Sequence, residues 1–434
     1  MDELCPQLRP LEPIPVDLGK QQVVVLRDPF HFIEEQISVS VPTFLLLTLM
    51  DGTRSVSGLQ GVYELRFGHR LQLDEIRKVI QELDHLGLLQ NERFETLRQQ
   101  RLSEFRDQPV REAAHAGAAY ESDPAALDRQ ISGFYSEVNT RGIGWEKGTD
   151  QMIRGVVVPH IDPQVGGICS AYAFAALAEA DPAPDLFVLL GTAHQPTNRP
   201  FILTAKSFRT PLGVVETCQE TAQALRDACP FDLMEDEYLH KFEHSLEFPI
   251  LFLQHLYGES PVQNGPNGHP HRQPHPFKIL PILVGSFHGY IAENEIPSES
   301  ETMRSFIAAL QKALAASGKR VCFVVGADLS HMGKKFGDEE GLTDSQLDST
   351  RHLDAEMLGH VEAMRTEDFF RHLQATQDAQ KVCGLPPLYT MMAALSPACS
   401  GKVLKYDLHP EPQTDSFVSF ASLVFYDTPA PETV

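Results

Sequence analysis

The feature that most constrains the fold is a set of four short apolar runs separated by helical stretches. The runs are rich in Val, Ile, Leu and Phe throughout and do not alternate with polar residues: GVVVPH (155–160), DLFVLLGTAH (185–194), KILPILVG (278–285) and VCFVVGADLSH (321–331). Such runs are typical of strands that are covered on both faces, as in a parallel sheet with crossover helices. We therefore predict a large α/β domain with a mainly parallel sheet, to which the alternating segment at 415–427 adds a late strand.

The length of 434 residues predicts more than one domain, and the sequence pattern changes near residue 100. Residues 1–95 contain one short apolar run, QQVVVLRDP (21–29), followed by three segments with helical periodicity. This order predicts a small α+β winged-helix-like domain. Residues 96–110 are polar and charged, which predicts a helical linker to the α/β domain in residues 111–427.

Charge and composition argue against several classes of protein. The net charge is −23 with no Lys/Arg cluster, which predicts no nucleic-acid binding. Residues 1–100 carry 15 acidic and 10 basic side chains, so a peptide- or protein-binding module is favoured over a DNA-reading one. The longest apolar run, PTFLLLTLM (42–50), is too short for a bilayer span, and the N-terminus lacks a secretory signal pattern. These features predict a cytoplasmic protein. Its seven scattered cysteines predict neither a disulfide framework nor a sequence-local zinc site.

Polar residues stand at the ends of three of the apolar runs. His160 ends the first and His194 the second, and the fourth closes with Asp328, Ser330 and His331. Ligands gather outside the carboxyl ends of strands in open α/β sheets, so we expect these side chains to lie close together. One such histidine is most often structural, but three at three strand ends favour a shared site. Because imidazole is the commonest transition-metal ligand, the pattern predicts a metal centre.

Two further segments offer candidate residues. KVCGLPPLY (381–389) contains Cys383, a possible thiolate ligand, although a lone cysteine is as often a small buried residue. KFEHSLEFPILFLQ (241–254) places Glu243, His244 and Glu247 before an apolar run, with the two glutamates spaced to share a helix face. Glu243 and His244 are candidates to orient a ligand, but acids are also common at helix starts for structural reasons. A Pro/Gly/His-rich insertion at 257–277 predicts an exposed loop.

Seven short blocks occur in the order found in one protein family: REAAHAGAAY (111–120), VVPH (157–160), LGTAH (190–194), EHSLEF (243–248), ILPILVG (279–285), GADLSHMG (326–333) and VCGLPP (382–387). Through these blocks residues 111–427 resemble the Memo family, in the bacterial and archaeal branch called AmmeMemoRadiSam system protein B. The segments DGTRSV (51–56) and LDEIRKVIQELDHLGLL (73–89) resemble PqqD-like peptide-recognition modules, which accompany some radical S-adenosylmethionine systems.

The resemblance to the Memo family implies a doubly wound α/β fold similar to class III extradiol dioxygenases. It also implies a pocket in which His160, His194 and Cys383 bind iron or copper, and it places His331 where the dioxygenases keep an acid/base histidine, with Asp328 nearby. The family's usual PHAGY reads PHIDPQVGG here, and Gln195 stands where some members have a second histidine. These departures retain the predicted ligands but leave the substrate open.

Three functional hypotheses follow. The first is an iron- or copper-dependent, dioxygenase-like oxidoreductase whose N-terminal module binds a radical S-adenosylmethionine protein or a peptide. The second is a non-catalytic metal-binding adaptor, and the third is a hydrolase in which His331 or His244 activates a Cys383 nucleophile. For the first hypothesis the catalytic candidates are His331, Asp328 and His244, with Glu243 and Ser330 as supporting residues.

Overall fold

The chain divides into two compact units, Met1–Gln108 and Pro109–Val434. The structure, a computed structural model, describes residues 5–17, 19, 22–141, 152–178, 180–258, 274–339, 341, 343–395 and 399–427. Residues 96–107 of the predicted linker belong to the last helix of the first unit. Most of the predicted 257–277 loop, residues 259–273, lies outside the described residues.

The N-terminal unit is a three-stranded antiparallel sheet followed by helices. Its strands are β1 (Glu12–Asp17), β2 (Gln22–Arg27) and β3 (Ile37–Ser40), and its helices are α1 (Val41–Leu47), α2 (Val56–Phe67), α3 (Leu73–His85) and α4 (Glu92–Asp107). The strands lie in the order β1-β2-β3, and the apolar sides of β2 and of α1, α2 and α3 share one core. In the structure all three strands of this sheet precede the helices. The winged-helix interpretation of this unit stays a prediction.

The sequence pattern did not reveal β1. Its segment, EPIPVD, contains Pro13 and Pro15, which are unfavourable inside a sheet because proline has no N–H to donate. In the structure β1 is an edge strand that pairs with β2 alone, and this is where proline is tolerated.

The second unit contains a larger sheet and the helices that cover it. Its strands are β4 (Val110–Arg111), β5 (Ile153–Val158), β6 (Leu186–Thr192), β7 (Phe201–Leu203), β8 (Ser207–Thr210), β9 (Gly213–Val215), β10 (Lys278–Val284), β11 (Val321–Gly326), β12 (His331–Gly333), β13 (Cys399–Glu411) and β14 (Ser416–Asp427). Its helices are α5 (Pro124–Arg141), α6 (Pro163–Leu177), α7 (Gln219–Ala228), α8 (Glu247–Tyr257), α9 (His288–Ala292), α10 (Glu301–Ser317), α11 (Asp344–Glu362), α12 (Thr366–Ala375) and α13 (Leu385–Ala394).

The large sheet is mixed, which corrects the prediction of a mainly parallel one. Its order is β12-β14-β5-β11-β6-β10-β7, and β13 pairs with β14. The four strands predicted from the continuous apolar runs are adjacent and parallel, whereas β14 pairs antiparallel with β5. The predicted late strand is β14, and it forms a long antiparallel hairpin with β13. A short turn between two strands imposes this orientation, whereas parallel strands need a long crossover.

Both faces of the central strands are covered, as their composition predicts. Leu186, Val188 and Leu190 of β6 pack in one core with apolar residues of α10 and α13. Because successive side chains of a strand point to opposite faces, Phe187 faces the other side, where its ring lies 5.5 Å from that of Tyr257 on α8. Among the described residues, no helix combines the length and apolar character that a bilayer span requires.

Candidate metal centre

Three parallel strands deliver polar side chains to one edge of the large sheet. The strands β5, β11 and β6 are neighbours, so their carboxyl ends lie side by side. His160, Asp328 and His194 each follow the last residue of their strand by two positions. The shared spacing explains why these three residues, which are distant in sequence, meet at one edge of the sheet.

Cys383 completes a cluster of three metal-binding side chains. One donor atom of each of His160, His194 and Cys383 lies within 4.8 Å of the donor atoms of the other two. The Cys383 sulfur is 3.3 Å from Nε2 of His160, and the two imidazole rings are 5.0 Å apart between centroids. The three residues predicted as ligands therefore meet at the carboxyl edge of the sheet.

His160 is held by the backbone on one side of the cluster. Its Nδ1 lies 2.9 Å from the carbonyl oxygen of Gly326, so Nδ1 carries the proton and Nε2 presents its lone pair. The His160 backbone N–H donates to Oδ1 of Asp328 at 2.9 Å. Burial, with a smaller contribution from His194, lowers the pKa of His160 to about 3. The ring is therefore a neutral imidazole, the form that binds metals.

His194 is held by a carboxylate on the other side of the cluster. Its Nδ1 lies 3.0 and 3.1 Å from the two oxygens of Glu243, and its backbone N–H donates to the same carboxylate. Although burial opposes the charged imidazole, Glu243 raises the pKa of His194. Burial likewise opposes ionisation of Glu243, but His194 and His244 bring its pKa well below the usual range. A carboxylate behind a histidine is the common way to orient a metal-binding imidazole.

His244 belongs to a second group, with His194 and Glu243, whose donor atoms lie equally close. Its Nδ1 is 3.2 Å from Oε1 of Glu243, and its ring stacks on that of His194 at 4.7 Å. The Glu243 carboxylate accepts from the His194 ring and from the Ser245 backbone N–H at 3.0 Å, and it lies within ion-pair distance of the His244 ring. These contacts account for the second group without a metal ion. Burial lowers the pKa of His244 to about 3, so its ring is neutral.

Cys383 lies two residues before the start of helix α13, where close backbone approach positions it. A side chain at Gly384 would collide with the carbonyl oxygen of Asp328, so only glycine fits after the cysteine. The carbonyl oxygen of Cys383 accepts from the Thr192 hydroxyl at 2.9 Å, which attaches this loop to the end of β6. Burial, and then the charge of Asp328, raise the pKa of the Cys383 thiol well above its usual value. A metal ion must therefore displace the thiol proton when it binds.

The other predicted site residues lie around the cluster. Asp328 is buried, and its Oδ2 is 3.6 Å from Nε2 of His160. The His331 ring is half-buried against Phe336, with Nδ1 3.0 Å from the carbonyl oxygen of Leu329. Ser330 is fully buried and points away from the cluster, donating its hydroxyl to Asp354 at 2.6 Å.

The sequence pattern missed a buried ion pair beneath the Glu243 loop. Arg111 and Glu247 are both fully buried and form a salt bridge, and Nη2 of Arg111 donates to the carbonyl oxygen of Glu243 at 2.9 Å. Glu247 also accepts from the Tyr120 hydroxyl and from the His115 backbone N–H. Residues 111–120 carried no predicted role because their partners are more than a hundred residues away. A fully buried arginine is rare unless paired, but nothing in the sequence around Arg111 marks this side chain as buried.

The prediction that Glu243 and Glu247 share a helix face is wrong. Helix α8 begins at Glu247, so Glu243 lies in the turn before it. The two carboxylates consequently have different partners, His194 for Glu243 and Arg111 for Glu247.

The donor set fits a transition-metal ion. In a tetrahedral site with bonds of about 2.0 Å to nitrogen and 2.3 Å to sulfur, the donor atoms lie roughly 3.3–3.6 Å apart. The 3.3 Å between Sγ of Cys383 and Nε2 of His160 agrees with this spacing. Both histidines engage Nδ1 in hydrogen bonds, which leaves Nε2 of each for a metal. Two imidazoles and a thiolate are softer than two imidazoles and a carboxylate, and they suit copper(I) or redox-active iron.

Fold and donor cluster together define an α/β protein with a candidate metal centre at the carboxyl edge of a mixed sheet. The chain belongs to the Memo family, since the family model described as "Memo-like protein" matches residues 111–424. It is 29% identical over 405 residues to a MEMO1 family protein of Aquifex aeolicus, covering 93% of this chain and 96% of the relative. It is 26% identical over 289 residues to the protein memo-1 homolog of Caenorhabditis elegans, covering 66% and 71%.

Proposed function

We propose that this chain is a metal-dependent redox protein, a dioxygenase-like oxidoreductase that binds iron or copper at His160, His194 and Cys383. The observation that carries the proposal is the convergence of these three donors from three separate loops, with both imidazoles oriented by hydrogen bonds at Nδ1. Such an ion, when bound, would supply one-electron chemistry or activation of O₂.

Asp328 and His331 are the proposed proton-handling residues. Burial raises the pKa of Asp328 to about 6, despite the opposing effect of His331. The carboxylate can therefore take up and release a proton near neutral pH at Oδ2, next to the His160 ring. Burial lowers the pKa of His331, and Asp328 partly restores it, so the ring is a neutral base that can accept a proton.

A substrate would approach from the side of His194 and His244. These two side chains are 33% and 32% exposed, whereas His160 is 2% exposed. After His160, Asp162 caps helix α6 and Pro163 begins it, so this turn has a structural role. We infer that the substrate is recognised through the His194 side of the centre.

We further propose that the chain is the AmmeMemoRadiSam system protein B type and works with a radical S-adenosylmethionine protein through its N-terminal unit. The match to the Aquifex aeolicus protein supports this proposal, since it extends over 93% of the chain and so includes most of that unit. A module retained with the metal-binding domain is expected to present a peptide or a partner to it.

The geometry favours a metal ligand over a hydrolytic nucleophile at Cys383. An activated cysteine has a lowered pKa and an adjacent base. Here burial raises the thiol pKa well above its usual value, and the imidazole beside the sulfur is His160 rather than His331 or His244.

Metal content tests the proposal. The untagged protein should purify with, or take up anaerobically, close to one iron or copper ion per chain, and His160→Ala and Cys383→Ser should each abolish stoichiometric binding. Exposed His352→Ala serves as the matched control and should keep full occupancy. A wild-type protein that takes up no metal on reconstitution would refute the proposal.

The same variants separate an enzyme from an adaptor. If a radical S-adenosylmethionine protein co-purifies equally well with wild type and with Cys383→Ser, and the metal-loaded protein shows no redox cycling with O₂, the adaptor function is favoured. Redox cycling that disappears with Cys383→Ser supports the oxidoreductase.

A further inference from the structure

Asp354 on α11 is a fully buried carboxylate with an unusually complete set of hydrogen bonds. Its Oδ1 accepts from the Ser330 hydroxyl at 2.6 Å and from the Gln380 amide at 3.2 Å. Its Oδ2 accepts from the Ser419 hydroxyl at 2.6 Å and from the Tyr406 hydroxyl at 2.8 Å. Four donors satisfy the carboxylate, which can only accept when ionised.

Two of these four donors, Ser330 and Gln380, belong to the segments that carry the candidate centre, whereas Tyr406 lies on β13 and Ser419 on β14. Ser330 precedes His331, and Gln380 lies three residues before Cys383. The two segments also contact each other directly, because the His331 backbone N–H donates to the carbonyl oxygen of Gln380 at 2.8 Å and the Gln380 amide donates to the Ser330 hydroxyl at 2.7 Å. Asp354 therefore joins the loop that bears Cys383 to the loop that bears His331.

The Cys383 loop has a backbone that needs such support. Gln377, Asp378 and Lys381 have φ values of 54°, 49° and 53°, in the left-handed region that non-glycine residues rarely adopt. Residues in this region persist where the surrounding structure imposes the conformation. The Gln380 amide supplies part of that constraint, although its Oε1 is buried without a partner among the described residues.

We propose that Asp354 is a positioning residue that holds the strained 377–381 loop, and thereby places the Cys383 sulfur beside Nε2 of His160. The carboxylate fixes Gln380 and Ser330 at once, so it sets the distance between the thiol and the rest of the centre. This inference deepens the proposed function and rests on it only for the role of the thiol as a metal ligand.

Alkylation of the metal-free protein tests the position of the loop. In Asp354→Asn, the amide that replaces one carboxylate oxygen cannot accept hydrogen bonds, so the loop should open more often. We expect iodoacetamide to modify Cys383 at least about tenfold faster, since a hydrogen bond to a charged group is worth about that factor or more. Modification of Cys322, fully buried in β11, should keep its wild-type rate, because global unfolding is not required.

Asp128→Asn is the matched control, because it removes a buried carboxylate of the same unit that pairs with His255 rather than with the Cys383 loop. It should leave the Cys383 rate within about twofold of wild type. If Asp354→Asn does not fold, Tyr406→Phe decides the question by removing one donor and leaving the carboxylate, and it should accelerate Cys383 by a few fold. An unchanged Cys383 rate, or equal acceleration at Cys322, overturns the proposal.

Cobalt(II) titration separates this inference from the proposed function. In wild type the thiolate bound to cobalt should give a charge-transfer absorption, and Asp354→Asn should weaken cobalt binding about tenfold and alter that band. Faster alkylation in a protein whose wild type binds no metal would refute the proposed function and leave the positioning role intact. Metal binding by the wild type, together with an unchanged alkylation rate in Asp354→Asn, would support the proposed function and refute the positioning role.

Discussion

His160 and His194 hold equivalent places after β5 and β6, the strands on either side of β11, yet their surroundings differ in kind. His160 is buried. Its Nδ1 donates to the carbonyl oxygen of Gly326, and its backbone N–H donates to the Asp328 carboxylate. The side chain of His194 is one-third exposed and is held by the charged Glu243. Burial lowers the pKa of His160, whereas Glu243 outweighs burial and raises that of His194. The pKa of the same residue type is therefore shifted in opposite directions at two strand ends on one edge of the sheet.

The difference extends to what lies behind each histidine. The His160 side depends on the ends of β5 and β11, which the sheet itself fixes. The His194 side depends on a loop, residues 242–246, that the buried Arg111 holds through its contacts with Glu247 and with the Glu243 carbonyl. The His160 side of the centre is supported by hydrogen bonds between strands, and the His194 side by the buried Arg111–Glu247 ion pair. Substitutions on the two sides should therefore have different effects on stability and metal affinity.

The largest effect is expected from breaking the charged support. Arg111→Met leaves Glu247 buried and unpaired, and removing one partner of a buried ion pair costs about 3–5 kcal/mol. Denaturant unfolding of the metal-free protein measures the loss. Arg209→Met is the control, because its pair with Glu112 is exposed and should contribute less than about 1 kcal/mol. Similar losses in both variants would show that the Arg111 pair is not a special support.

Next in size is the loss of the carboxylate behind His194. Glu243→Gln keeps the side-chain volume but removes the charge that orients the ring, and metal affinity should fall about 10- to 100-fold. Competition titration against a chelator of known affinity measures it. Glu220→Gln, an exposed change on α7, should have no effect. Undiminished affinity in Glu243→Gln would indicate that His194 needs no charged partner.

Stability of the metal-free protein should respond to pH in opposite ways at the two histidines. The raised pKa of His194 gives stability that is present below the unfolded pKa of about 6.5 and lost as the pH rises through the folded value. The lowered pKa of His160 makes the protein lose stability as the pH falls from about 6.5 toward 3.

Unfolding at pH 5.5 and at pH 8 distinguishes the two histidines. His194→Gln should be more destabilising at pH 5.5 than at pH 8, because the stability that comes from the raised pKa of His194 is fully present below about 6.5 and declines above it. His160→Gln should be less destabilising at pH 5.5 than at pH 8. Equal pH profiles for the two variants would contradict the contrast in their surroundings.

The smallest effect concerns the helix that follows His160. Asp162 caps α6 by accepting from the Gln164 backbone N–H at 2.8 Å, so Asp162→Ala should lower the free energy of unfolding by about 1 kcal/mol. Metal affinity should change by less than twofold, because Gly326 and Asp328 hold His160 independently. Ser300→Ala is the control, since Ser300 precedes α10 without a side-chain capping bond. A large loss of metal affinity in Asp162→Ala would place α6 among the supports of the centre.

Much of the centre was predictable because it depends on local patterns. Continuous apolar runs identified four buried strands, and the polar residues at their ends identified His160, His194 and Asp328. Cys383 rested on the resemblance to the Memo family, since a lone cysteine before a glycine has no distinctive pattern. Arg111 and Asp354 escaped prediction altogether, because their role lies in partners far away in sequence, such as Glu247 for Arg111.

The sequence by itself determined the four central strands, their burial on both faces and the residues that their ends present, since these follow from side-chain periodicity and backbone chemistry. Only the tertiary structure decided that the sheet is mixed, that Glu243 lies before its helix and faces His194, and that Asp354 joins the loops of His331 and Cys383. The reason is physical: hydrophobic pattern fixes which face of an element is buried, but the pairing of polar groups inside the protein depends on which loops the fold brings within hydrogen-bonding distance.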